Sequence, residues 1–146
     1  MEKPKEVLLW SIALPGFGHF LNGKYFKGIV LIFLEFLVNV KGNINLVIIF
    51  SFQGEIEQAI QHADYQWLMF YPCLYFFAIW DAYRDAGGGK EPYSFLPFVF
   101  SAYFMTVGVV YSSKLLGPIW LPILSIIPGL IVGFLLQRYI RRKLTT

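Results

Sequence analysis

Ile119-Trp120-Leu121-Pro122-Ile123-Leu124-Ser125-Ile126-Ile127-Pro128-Gly129-Leu130-Ile131-Val132-Gly133-Phe134-Leu135-Leu136-Gln137, followed directly by Arg138-Tyr139-Ile140-Arg141-Arg142-Lys143, is the stretch that decides the fold. A helix in a soluble core is apolar along one stripe, because only part of its circumference meets the core. This run is apolar on every face and long enough to cross a bilayer, so its whole circumference calls for an apolar solvent. The basic cluster Arg138, Arg141, Arg142 and Lys143 behind it reads as a cytoplasmic stop and anchor.

Composition points the same way. Of the 146 residues, 57% are hydrophobic and 14% charged, against roughly a quarter charged in soluble proteins. The expectation is an all-α, polytopic membrane helix bundle of four to five hydrophobic segments, forming a single membrane domain over residues 1–146. Val7 to Leu21 is short and interrupted by Pro15-Gly16-Phe17-Gly18-His19, which predicts either a bent span or a re-entrant helix. Gly28 to Phe52 contains Lys41-Gly42-Asn43, a turn signal, but the lysine stem can snorkel, and one long, bent helix is the preferred reading. Trp67 to Trp80 is bracketed by tryptophans suited to the headgroup level and is expected to kink at Pro72. Phe95 to Tyr111 and Ile119 to Gln137 complete the set, and Pro118, Pro122 and Pro128 argue against one straight final helix. Between runs, Ile56, Ile60 and Ala63 predict a short amphipathic helix at the membrane surface within 53–66, and Gly87-Gly88-Gly89 a flexible breaker within the polar hinge 81–93.

Charge placement orients these segments. With the C-terminus in the cytoplasm, alternation puts Lys24, Lys27, Arg84 and Lys90 inside and the stretch 53–66, which has no lysine or arginine, outside; Lys41 and Lys114 dissent. A spanning first segment would place the N-terminus outside, whereas a re-entrant one keeps Lys3 and Lys5 inside. The expected location is the plasma membrane, multi-pass. The net charge of +3 comes without a basic stripe of the kind nucleic acid requires. The partners to expect are the lipid bilayer and either another membrane protein or a second copy of the chain, with no nucleic acid.

An ionisable side chain inside a membrane costs several kcal/mol unless paired or protonated, which singles out Glu35. Asn39 shares its helix face, and a tight turn would bring His19 toward it. This polar cluster of His19, Glu35 and Asn39 reads first as an interhelical hydrogen-bond clasp and second as a proton- or ion-responsive site. Asp81, Arg84 and Asp85, at helical spacing, predict an ion-pair network on the cytoplasmic face, either a solvated helix end or a docking point. Gly129 and Gly133 form a Gly-x-x-x-Gly face that suits packing within the monomer and homodimerisation equally.

The stretch from Leu14 to Gly28, with Pro15, Gly16, Gly18, Asn22, Gly23 and Gly28, predicts a helical hairpin; a phosphate-binding loop is excluded because no strand precedes the glycines and no Gly-Lys-Ser/Thr ending follows. Together with Trp80-Asp81-Ala82-Tyr83-Arg84-Asp85-Ala86 it resembles bacterial small membrane proteins of the two-transmembrane-helix domain family. There a Pro-Gly-x-Gly turn and an Asn-Gly-x-Tyr-x-Lys-Gly segment link two membrane helices, with a Trp-x-Asp-type ending downstream. The resemblance spans residues 8–86 and implies a helical hairpin there. An insertion over 41–66 and a C-terminal helix pair over 94–137 set this chain apart.

His19 and His62 are the only histidines and fall toward opposite faces, so no metal site is expected, and no cofactor. The lone Cys73 excludes an internal disulfide. Metalloprotease and hydrolase signatures are absent. The expected function is that of a non-enzymatic accessory or assembly subunit; the alternatives are an oligomeric transporter or channel using Glu35, and a membrane-bound enzyme.

Overall fold

The computed structural model describes residues 2–144 and is all-α, with no strand among the described residues. The first apolar run is not one helix. Pro4 opens α1 (Lys3–Ala13) in its first turn, where a missing N–H costs nothing. Leu14 is then extended and Gly16 adopts φ +91°, which a side chain would resist, so the chain reverses into α2 (Phe17–Leu21). Val7 and Ser11 of α1 close on Gly18 of α2, where an added Cβ would lie 3.0 Å from Val7 and 3.1 Å from the Ala82 methyl. Tyr75 donates its hydroxyl to the Ile12 carbonyl, while Asn22 donates to the carbonyl of Ala82, farther toward the C-terminal end of the same helix. The hairpin tip therefore reaches the N-terminal part of that helix, beside Tyr75, and the chain then returns to the end it started from. At 11 residues, α1 is about 16 Å long, roughly half a hydrocarbon core.

The second run is two helices, α3 (Tyr25–Gly42) and α4 (Ile44–Phe52), bent by 62°. The bend agrees with the expectation of one long, bent helix, and the helix does run through Lys41, but it is interrupted at Asn43. Asn43 sits at the break in the left-handed region, φ 55°, a conformation asparagine tolerates better than most residues. Its side-chain amide donates to the His62 carbonyl, fixing the break to the next segment. The surface helix α5 (Ile56–His62) buries Ala59 against Val47 and Ile119. Asp64 then caps α6 (Tyr65–Leu68), accepting from the backbone N–H groups of Gln66 and Trp67. Pro72 lies in the first turn of α7 (Tyr71–Asp85), so it starts a helix where a kink was expected.

Two long neighbours finish the fold. α8 (Leu96–Tyr111) and α9 (Gly117–Leu144) pack along most of their length, and α9 carries Pro122 and Pro128 inside one uninterrupted helix. Among the described residues α9 alone is long and apolar enough to cross a membrane, and α3 with α4 makes a second candidate if taken as one broken span. That is fewer than the four to five crossings that hydropathy predicts, because α7 and α8, at 15 and 16 residues, fall short of a full crossing.

Polar contacts gather at two ends. At one, Asn22 meets Ala82, Lys27 meets Asp81 and Asp85, Gln137 donates to the Pro92 carbonyl, and Arg141 pairs with Glu91. At the other, Asn43 meets His62, Trp120 donates to the Ser51 carbonyl, and Gly117 lies against Ile56. Between them large apolar side chains face outward: Phe33, Phe36, Phe134 and Leu135 are each more than half exposed.

Candidate functional site

The hairpin turn delivers a cluster of polar side chains to the end of α7. Asp81 is its centre. His19, completely buried, places Nε2 2.9 Å from Asp81 Oδ2, and since an ionised carboxylate only accepts, Nε2 carries the proton. Lys27, from the first turn of α3, donates to the same oxygen at 2.8 Å and to Asp85 Oδ2 at 2.9 Å. Arg84, one turn along α7, donates to Asp81 Oδ1 at 3.1 Å. Asn22 adds a bond to the Ala82 carbonyl at 2.8 Å. Three separate stretches of sequence, 19–22, 27 and 81–85, are thereby tied at one point.

Lys27 and Asp81 lie just outside the apolar runs that begin at Gly28 and end at Trp80. Burial pushes the Asp81 carboxyl up, but the hydrogen bonds from Lys27 and His19, with their charges, outweigh it and hold the group below the usual carboxylate range. Lys27 is held above its ordinary value by its hydrogen bonds to Asp81 and then Asp85. Three donors on one carboxylate make Asp81 a structural acceptor.

The predicted cluster of His19, Glu35 and Asn39 does not form. His19 is taken by Asp81; Asn39 donates to Asn45 across the α3–α4 break; and Glu35, half-buried, meets Tyr71 of α7, with Oε2 left without a hydrogen-bond partner. The reason is geometric: the hairpin carries His19 back to the polar end of α7, away from the middle of α3. Asp81, Arg84 and Asp85 do come together, joined by His19 and Lys27 from outside their own helix. Gly28 packs under the Phe20 ring, Gly23 turns with φ +71°, and Pro15 is buried with Gly16 at the hairpin tip. Gly129 and Gly133 both face α8, where added Cβ atoms would stand 2.8 Å from the Phe100 carbonyl and 2.5 Å from Pro97 Cα. Their face is used within the monomer.

His19, Asp81 and Asp85 offer ligand atoms within 4.8 Å of one another, so they are the group among the described residues that could hold a metal. The Lys27 ammonium already bridges the two carboxylates, and a cation would have to displace it. Lys27 and Tyr71 are the participants that sequence reasoning missed. For Lys27 a signal existed, since it and Asp81 fall in loops assigned to one side; for Tyr71 nothing in the spacing marks it.

Comparison with protein-family models, with curated proteins and with solved structures finds no match to this chain.

Proposed function

We propose that this chain is a multi-pass plasma-membrane protein with both termini in the cytoplasm, serving as a non-enzymatic accessory or assembly subunit. The observation that carries the reading is the Asp81 clasp: His19, Lys27 and Arg84 all converge on one carboxylate, tying the first hairpin to α7. The exposed apolar belt and the two polar ends support a membrane setting, with α1 and α2 as a re-entrant hairpin and four crossings built by α3 with α4, α6 with α7, α9, and α8 lengthened by the turns at Tyr93 and Ser112. Kinship with the two-transmembrane-helix domain family belongs to the same proposal, supported by the way the two halves of that motif pack on each other. Affinity purification of the tagged full chain from detergent-solubilised membranes is expected to recover one reproducible, stoichiometric partner; repeated isolation of the chain alone would count against an accessory role.

A second reading is a small transporter or channel, favoured by the unsatisfied Oε2 of Glu35. Reconstituted chain would then show ion or proton flux that Glu35→Gln abolishes, and flux untouched by that change would remove Glu35 from any pathway.

A further inference from the structure

A groove of about 1360 Å³ opens along the side of the molecule at the end where α1 begins and α9 finishes. α1 forms one wall and α9 the other, over a floor made by α7 and α8. It is larger than the roughly 300–1,000 Å³ of a typical small-molecule pocket. Its chemistry changes along its length in the same direction on three walls. On α9 the lining runs from Leu130 and Phe134 to Arg138, Arg141 and Arg142; on α1 from Leu8 to Lys5 and Glu2; on α7 and the loop behind it from Phe76 and Ile79 to Lys90 and Glu91. The rim thus carries five basic side chains against two carboxylates, Lys5 pairing with Glu2 and Arg141 with Glu91, which leaves a net positive mouth.

We infer that this groove binds an anionic phospholipid of the cytoplasmic leaflet, with acyl chain laid between α1 and α9 and phosphate at the rim formed by Lys5, Lys90, Arg138, Arg141 and Arg142. The inference rests on the membrane reading above. An apolar trough ending in a cationic mouth complements an amphiphile with an anionic head, and basic pockets between helices on the cytoplasmic side are where such headgroups bind. A free phosphate would satisfy the rim and leave the apolar depth unused. The hairpin is what makes the trough: because α1 turns back at Gly16, its N-terminal half stands beside α7 as a low wall.

The test uses the full chain, delipidated in mild detergent and titrated with phosphatidylglycerol or with phosphatidylcholine of the same acyl chains, with bound lipid counted by native mass spectrometry. Wild type is expected to hold one phosphatidylglycerol about tenfold more tightly than phosphatidylcholine. Lys90→Gln with Arg138→Gln should erase that preference, and Leu130→Trp, which fills the trough, should weaken both lipids. Circular dichroism of each variant checks that it is folded. Equal affinity of wild type for the two lipids would overturn the site, and needs no variant. Inorganic phosphate competing as well as the lipid would assign the rim to a free anion and overturn it too, as would a stoichiometric polypeptide displaced by Leu130→Trp. Alkaline washing of the source membranes tests the membrane reading separately: chain released into the supernatant defeats that reading, whereas a membrane-retained chain without lipid preference defeats only the groove.

Discussion

The buried imidazole of His19 and the carboxylate of Asp81 meet at 2.9 Å across 62 positions of sequence. Around that contact Lys27 and Arg84 supply two more donors, so one side chain holds α2, α3 and α7 in register.

Removing that acceptor is expected to be expensive. Asp81→Ala leaves His19 buried without its partner and should destabilise the chain by about 3 kcal/mol, the usual scale for breaking a buried pair. Asp81→Asn keeps an acceptor oxygen and should cost less. Denaturant titration in detergent measures both, and an unchanged midpoint for Asp81→Ala would show that the clasp holds nothing.

Asp81 and Lys27 set a pH dependence. The folded-state pKa of Asp81 is lowered, so its contribution is present above the unfolded value and is lost as pH falls through the folded one, below about 4. That of Lys27 is raised, so its contribution is present below the unfolded value and disappears only as pH rises through the folded one, above about 10. Thermal midpoints in detergent should stay level between these limits and drop in acid, and Asp81→Asn should remove most of the acid drop. A wild-type midpoint falling between pH 5 and 8 would point to another titrating group.

Gly133 faces Pro97 at backbone distance, with no flexible side chain to give way. Gly133→Leu should destabilise the α8–α9 pair by about 1–3 kcal/mol through overpacking, without changing the number of chains per particle. Light scattering alongside thermal melting tests this; a loss of dimer at constant stability would place the glycine face between copies.

Labelling decides the path of the first hairpin. With Cys73 replaced by serine, Gln58→Cys should react with an impermeant maleimide in intact cells. Lys3→Cys should react only after permeabilisation. Reaction of both from outside would mean that the first segment crosses.

Much of this architecture is legible from hydropathy and punctuation. Ile56, Ile60 and Ala63 announce the surface helix, Asn22-Gly23 the turn, and the lysine-free stretch 53–66 collects at the opposite end from Lys27 and Arg84. Such signals are local, because they follow from how each residue meets solvent and from its own backbone preference. The partner of His19 is a tertiary choice among distant carboxylates, and periodicity carries no information about it. Glu35 was flagged by cost alone, and what answers that cost, Tyr71, lies on a helix whose rotation is set by packing. At Lys41-Gly42-Asn43 the helix passes the lysine and stops only where Asn43 takes the left-handed conformation, a backbone preference that outweighs the apolar continuity on either side.

A hairpin that waits for α7 to lock it imposes an order on biogenesis. Asp81 leaves the ribosome 62 residues after His19, an interval of about 3 to 12 seconds at common rates of synthesis. Through that window the nascent N-terminal arm has no lock, so the protein completes its first structural unit only once α7 has been delivered.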